Sequence, residues 1–300
     1  MLMLNFTLTD LRYLLALAEE KHFAKAADKC FVSQPTLSIA IKKLEDNFGV
    51  TIFERQNHQI LITDSGRRII AQAEIVLAQA KLLQQLAMNS ADPYAEPLKI
   101  GAIFTIGPYL FPKLVQQVTH SVPQLKLIIE ENYTDRLISK LLSGEIDIAI
   151  LATEEKYSEL NKIDLFNEEL HMICSNRHSL ANQKTPIKQE QLNQETILLL
   201  GSGHCLRDQI IEACNNAQQH NHIFGHSITT SSLETIKYMV EMNLGLSILP
   251  QMAEHNLSSQ IVVKQFGQGK SIRTISMYYR KNFPREILVE QLATIIQQFN

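Results

Sequence analysis

The sequence predicts an α/β protein in three parts: a small N-terminal domain of short helices with a two-stranded wing, one long helix, and a larger C-terminal α/β domain. Three observations predict it. A capped helix from Gln34 to about Asn47 follows two shorter helical patterns and precedes two short strand-like runs. Residues 64–88 carry an apolar stripe with 4,3,4,3,4 spacing, the repeat of a coiled-coil seam. Beyond residue 98, strand-like runs alternate with amphipathic segments, the pattern of α/β domains.

In the first part, Leu11, Leu14, Leu15 and Leu17 follow helical spacing between Thr9 and Glu20. Phe23, Ala26 and Ala27 then mark a second helix that ends near Cys30. Ser33 restarts the chain as an N-cap, and Pro35 is tolerated in a first helical turn. The third helix buries Leu37, Ile41 and Leu44 and stops at Gly49, a residue suited to a left-handed C-cap. Val50–Phe53 and Gln59–Thr63 read as the strands of a wing.

The long helix runs from Asp64 to about Met88, with Ile69, Ala73, Val76, Ala80, Leu83 and Ala87 as its seam. Its polar flanks point to a seam filled by a partner helix rather than by its own domain. Residues 89–97 (NSADPYAEP) read as a hinge. The remaining runs, Leu98–Ile103, Leu125–Glu130, Ile146–Leu151, Thr196–Leu200 and Leu246–Leu249, predict largely parallel sheets. About 200 residues suit two subdomains with a cleft between them, and ligands bind in such clefts. The expected limits are 1–63, 64–88, 89–97 and 98–300, with subdomain I at about 98–165 and 270–300 and subdomain II at about 166–269.

Composition excludes more than it identifies. The 300 residues are 45% hydrophobic and 20% charged, with a net charge of −3. Residues 1–68 carry +1 and the rest −4, so any nucleic-acid contact must be local. No apolar run approaches the roughly 20 residues of a membrane span. The start lacks a signal-peptide layout, so a cytosolic location and no membrane partner are expected. Four cysteines without metal-ligand spacing argue for free thiols, no metal and no cofactor.

A helix that enters the DNA major groove presents short polar and basic groups in its first turns. Gln34, Thr36, Ser38 and Lys42 meet that need, with no acidic residue between Lys29 and Leu44. Ser33 and Pro35 complete the segment's first turn. A polar face on an ordinary small helical domain would look the same. The stretch LRYLLALAEEKHFAKAADKCFVSQPTLSIAIKKLEDNFGVTIFER (residues 11–55) resembles the winged helix-turn-helix of the LysR family of transcriptional regulators almost throughout. The resemblance implies double-stranded DNA as partner, read by Ser33, Gln34, Pro35, Thr36, Ser38, Lys42 and Arg55. It also implies a periplasmic-binding-protein-like sensing domain, a homodimer or homotetramer, and RNA polymerase as a further partner. The wing tip, Gln56 to Gln59, departs from the basic residues that wings of the family often carry, leaving Arg55 as its cation.

In the C-terminal domain, GSGHCLRDQIIEACNNA places Cys205 at a helix start, where N–H groups and the helix dipole favour a thiolate, with His204 beside it. Cys214 follows nine residues later. On a regular helix that separates the Cα atoms by roughly 13 Å, against the about 4.4–6.8 Å that a disulfide spans. A bond between them would therefore require the segment to unwind. Spacing alone favours two buried small apolar side chains, the commonest fate of cytosolic cysteines.

This segment, with FTIGPYLFPKL and TSSLETIKYMVEMNLGLSILP, is similar to the peroxide-sensing branch of the LysR family. That similarity implies that Cys205 reacts with hydrogen peroxide and that Cys214 resolves the product as a disulfide. It also implies a peroxide pocket of Thr105, Thr134, His204, Asp208 and Arg273. On residue type alone, the two threonines fit helix N-caps and the two charges fit the surface equally well. Cys30 and Cys174 read as packing residues. Two alternatives stand beside this reading: a regulator that binds a small metabolite in the cleft, and a thiol peroxidase. The DNA-reading motif argues against the second.

Overall fold

The computed structural model describes residues 5–56, 59–88, 92–153, 155, 157–187, 189–192, 195–214, 226–265 and 272–299. They form two compact units, Met1–Ser90 with Leu142–Gly144, and Ala91–Leu141 with Glu145–Asn300.

The first unit contains α1 (Leu8–Glu20), α2 (Phe23–Lys29), α3 (Gln34–Phe48), β1 (Phe53–Gln56), β2 (Gln59–Ile62) and α4 (Asp64–Met88). Thr7 and Asp10 close a capping box at the start of α1, which satisfies two otherwise orphaned backbone N–H groups. Leu11, Leu14, Leu17, Ala26, Leu37, Ile41 and Leu44 converge as the core. Phe31 takes a left-handed φ of 58° in the turn between α2 and α3, and Ser33 caps α3 by accepting from the Thr36 N–H.

The wing starts three residues later than its pattern suggests. The Val50 N–H returns to the Glu45 carbonyl as part of the stop of α3 around Gly49, at φ 67°, so Val50 is spent on the cap. Glu45 Oε1 then accepts from the N–H groups of Ile52 and Phe53, at 2.7 and 3.0 Å, which fixes the entry to β1. Asn57 and His58, and the side chains of Arg55 and Gln56, lie outside the described residues.

The helix α4 has the expected limits, but its stripe is not wholly reserved for a partner. Ile69, Ala73 and Val76 pack on the core of their own unit. The seam repeats every 3.5 residues on average, and its first turns face α1 because the chain enters α4 directly from the wing. Farther along, Leu83 is 71% exposed, while the Ala87 side chain lies outside the described residues.

In the second unit the order is β3 (Leu98–Ile103), α5 (Gly107–Ser121), β4 (Leu127–Asn132), α6 (Thr134–Leu142), β5 (Ile148–Leu151), β6 (Leu160–Ser175), α7 (Gln189–Leu192) and β7 (Thr196–Leu200). It continues with α8 (Cys205–Cys214), β8 (His226–Thr230), α9 (Leu233–Glu241), β9 (Ser247–Pro250), β10 (Ile261–Lys264), β11 (Ile272–Arg280) and α10 (Glu286–Gln297).

The main sheet runs β10-β6-β11-β5-β3-β4, with β9 also on β6. The parallel pairs are β3 with β4, β3 with β5, and β7 with β8. The pairings of β6 and β11 are antiparallel, which corrects the expectation of largely parallel sheets. β6 is sixteen residues long and passes from one subdomain to the other. Its first ten residues, with Leu165 skipped at a bulge, pair with β11 and the rest with β9 and β10, the change falling between Glu169 and Leu170. A crossing strand and its return strand necessarily run in opposite directions.

The described part of the expected hinge is tied down. Buried Arg285 donates to the carbonyls of Pro93, Glu96 and Pro97 and to Asp147, at 2.7–3.4 Å. Asn89, Ser90 and Ala91 lie outside the described residues. Among the described residues no helix is long and apolar enough to cross a membrane, and no cluster of metal-ligating side chains occurs.

Candidate functional site

Four loops and strand ends of the second unit bring the thiol site together. Cys205 is the first residue of α8, directly after the buried His204. Gly203 precedes them at φ 92°, and a Cβ there would lie 3.1 Å from the Tyr133 ring. Glycine therefore serves both a left-handed turn and a close approach. The rings of Phe104, Tyr133 and His204 form a triangle with centroids 4.9–5.8 Å apart, within the range of favourable edge contacts.

Thr105, from the β3–α5 turn, is 2% exposed and accepts twice from Arg273: Nη1 to its hydroxyl at 3.0 Å and Nη2 to its carbonyl at 3.1 Å. It is no helix cap, since the N-cap of α5 is Ile106, without a side-chain bond. Arg273 is no surface charge either. It is 3% exposed on β11 and sits in register opposite Glu168 of β6. Arg273 Nε donates to Glu168 Oε2 at 2.7 Å, and Glu168 Oε1 accepts from the Met252 N–H at 2.7 Å. A buried guanidinium requires such pairing.

Thr134 opens α6 with a buried hydroxyl that has no hydrogen-bond partner among the described residues. It lies close enough to the Cys205 sulfur to favour the thiolate. Asp208 stays in the exposed first turn of α8, where its charge disfavours the thiolate. The structure brings Thr105, Thr134, His204, Cys205 and Arg273 together and leaves Asp208 in solvent.

Burial pushes the Cys205 thiol above its ordinary value; Arg273, the Thr134 hydroxyl and the Leu206 N–H pull it down without prevailing. This reverses the expectation that the helix start would leave a ready thiolate, because desolvation of the charged sulfur outweighs the dipole. Burial also lowers the His204 pKa, so the imidazole is neutral at neutral pH. Its buried Nε2 has no partner among the described residues.

A cavity of about 160 Å³ borders the site, lined by Phe104, Thr105, Tyr109, Glu131, His204 and Glu234 among others. The Tyr109 hydroxyl donates to Glu234 Oε1 at 2.8 Å, and burial with this carboxylate beside it drives its pKa well above the ordinary value.

Sequence reasoning missed Glu168 and Gln209. Gln209 Nε2 donates to the Ala152 carbonyl at 2.7 Å and so anchors α8 near the end of β5. Glu168 could have been found from its place in the strand-like run ahead of HMICS. Cys214 closes α8, but its side chain lies outside the described residues. Cys174 is wholly buried in the core around β6, and Cys30 is half-buried beside the core of the first unit.

In the first unit, Ser33, Gln34, Pro35, Thr36 and Lys42 are exposed along α3, and Ser38 is half-buried. The Ser33 and Thr36 hydroxyls share a 2.8 Å hydrogen bond.

A winged helix-turn-helix followed by a two-subdomain α/β domain with a buried thiol site defines a transcriptional regulator with a sensing domain, not an enzyme. The chain belongs to the LysR family: residues 8–67 match the bacterial regulatory helix-turn-helix of that family, and residues 91–300 match the LysR substrate binding domain. It is 37% identical over 291 residues to the "Hydrogen peroxide-inducible genes activator" of Haemophilus influenzae, covering 96% of this chain and 95% of that one. Among solved structures it is similar to a full-length OxyR variant from Pseudomonas aeruginosa, at 42% identity and TM-score 0.76, covering 98% and 96% of the two chains. It is also similar to a Corynebacterium glutamicum OxyR mutant with bound H2O2, at 29% identity and TM-score 0.65, covering 98% and 92%.

Proposed function

We propose that this regulator senses hydrogen peroxide through Cys205 and Cys214 and controls oxidative-stress genes. The observation that carries the reading is Cys205 at the start of α8, within reach of the Thr134 hydroxyl and the charge of Arg273 and next to the neutral His204. The Cys205 thiolate attacks one peroxide oxygen, the O–O bond breaks, and hydroxide leaves as Cys205 becomes a sulfenic acid. The Cys214 sulfur then attacks the Cys205 sulfur, water leaves, and a disulfide remains. Two thiols are oxidised and one peroxide is reduced to two waters.

Neutral His204 and the hydroxyls of Thr105 and Thr134 orient the peroxide, and Arg273 stabilises negative charge on sulfur and oxygen. Asp208, at the rim, exchanges protons with solvent. Because Cys205 and Cys214 are the two ends of one helix, forming the bond unwinds α8 and displaces what Gln209 holds, which makes the thiol pair a conformational switch.

The reading assigns DNA recognition to residues 1–63, with Ser33, Gln34, Pro35, Thr36, Ser38, Lys42 and Arg55 at the duplex. It assigns pairing to 64–88, a hinge to 89–97 and sensing to 98–300. Paired half-sites call for a homodimer or homotetramer. The exposed Leu83 and a groove of about 520 Å³ lined by Phe6, Phe48, Val50 and Ile69 support it. RNA polymerase is the partner through which such a regulator activates, and the cytoplasm is where it meets the chromosome.

A thiol titration tests this. One equivalent of peroxide should remove two thiols per chain, and none in Cys205→Ser; continued peroxide turnover would instead indicate a peroxidase. The cavity beside His204 favours one second reading, a regulator that binds a small metabolite between the subdomains. Unchanged thiols together with ligand-dependent DNA binding would support it.

A further inference from the structure

The exposed side of α3 contains a residue that the polar DNA-reading set does not include. Ile39 is 69% exposed. It stands roughly 200° around the helix from Leu37, on the face opposite the core. One turn earlier on that face is the exposed Pro35, because residues four apart are neighbours on a helix. Thr36, Lys42 and Lys43 flank the pair and are exposed as well. A polar, basic face thus carries an apolar strip at its centre.

Water disfavours such a strip, and Ile39 is not among the described residues that form or pack on the core of its unit. The major groove offers one apolar feature, the thymine 5-methyl group. The lysines hold α3 against the phosphates on either side, which brings a side chain at the centre of this face to the floor of the groove. We propose that Ile39 is a specificity-determining residue that reads a thymine methyl in each half-site. This rests on the DNA-reading role of α3 and adds a base-contacting residue to it.

The test uses the full-length protein, reduced and peroxide-treated in parallel. Its preferred duplex is first selected from a random-sequence library. Each thymine of that duplex is then replaced singly by deoxyuridine, which removes the methyl and leaves the pairing edge intact. Loss of one buried methyl corresponds to about a fourfold weakening. The wild type should show that loss at one thymine per half-site, and Ile39→Ala should be insensitive at that position while matching the wild type at the others. Because Ile39 is exposed, the variant should melt with the wild type, which separates base reading from folding. Identical deoxyuridine profiles for wild type and Ile39→Ala would overturn the assignment while leaving DNA reading intact. Failure of the wild type to enrich any sequence would overturn the DNA-reading role itself.

Discussion

Replacing Arg273 with methionine separates the stabilising role of this residue from its chemical one. The substitution keeps most of the side-chain volume but removes the 2.7 Å bond to Glu168 and both bonds to Thr105. Glu168, 2% exposed, keeps the Met252 N–H as a donor but loses its cation. Breaking a buried pair by removing one partner costs about 3–5 kcal/mol, whereas replacing both partners by apolar side chains is often neutral. At roughly 2–4 °C per kcal/mol for a domain of this size, Arg273→Met should lower Tm by about 6–20 °C. Arg273→Met with Glu168→Leu should recover most of that loss. Reactivity should not recover, because Arg273 also draws the Cys205 thiol toward ionisation; both variants should react with peroxide more slowly at neutral pH. Urea denaturation followed by circular dichroism, with stopped-flow peroxide kinetics on the same samples, reads both. A single variant less than about 1 kcal/mol below wild type, or a double variant that regains the wild-type rate, would refute the reasoning.

Three further outcomes follow from the same site. Since burial holds the Cys205 pKa above 9.0, its alkylation rate in Cys30→Ser/Cys174→Ser/Cys214→Ser should still be rising at pH 9; a plateau below pH 7 would contradict this. Folding lowers the His204 pKa below 6.5, so its stabilising contribution is complete above pH 6.5 and is lost as pH falls through the folded value. His204→Phe should therefore lose less stability than wild type between pH 7 and about 5.5, as urea midpoints would show. Gly203→Ala, forced into φ 92° with its Cβ against Tyr133, should cost about 1–2 kcal/mol and slow the peroxide reaction by misplacing Cys205. A variant as stable and as reactive as wild type would remove the need for glycine there.

The parts of the fold that were legible are those where one local rule acts alone. Ser33 and Gly49 bound α3 because caps are local chemistry, and α4 was readable because its apolar repeat runs unbroken. β11 was hidden because from Ile275 onward it is buried on both faces and so does not alternate, and because Arg273 and Arg280 are buried charges that read as solvated ones. Their partners, Glu168 and Asp147, lie 105 and 133 residues away in sequence, so the pairing appears only after folding. The raised Cys205 pKa was illegible for the same reason: the helix start is written locally, but burial of the sulfur comes from loops distant in sequence. The resemblance of the GHC segment pointed to the site; its geometry depended on Thr105, Thr134 and Arg273 converging from three other segments.

The most direct measurement of the central claim is amide hydrogen exchange across Cys205–Cys214, before and after one equivalent of peroxide, with the disulfide assigned by mass spectrometry in the same sample. Exchange should be slow in the reduced protein and fast once Cys205 and Cys214 are joined, because a bond spanning about 4.4–6.8 Å between Cα atoms cannot form across an intact ten-residue helix. A Cys205–Cys214 bond with unchanged protection, or no bond while Cys205 is oxidised, would contradict it.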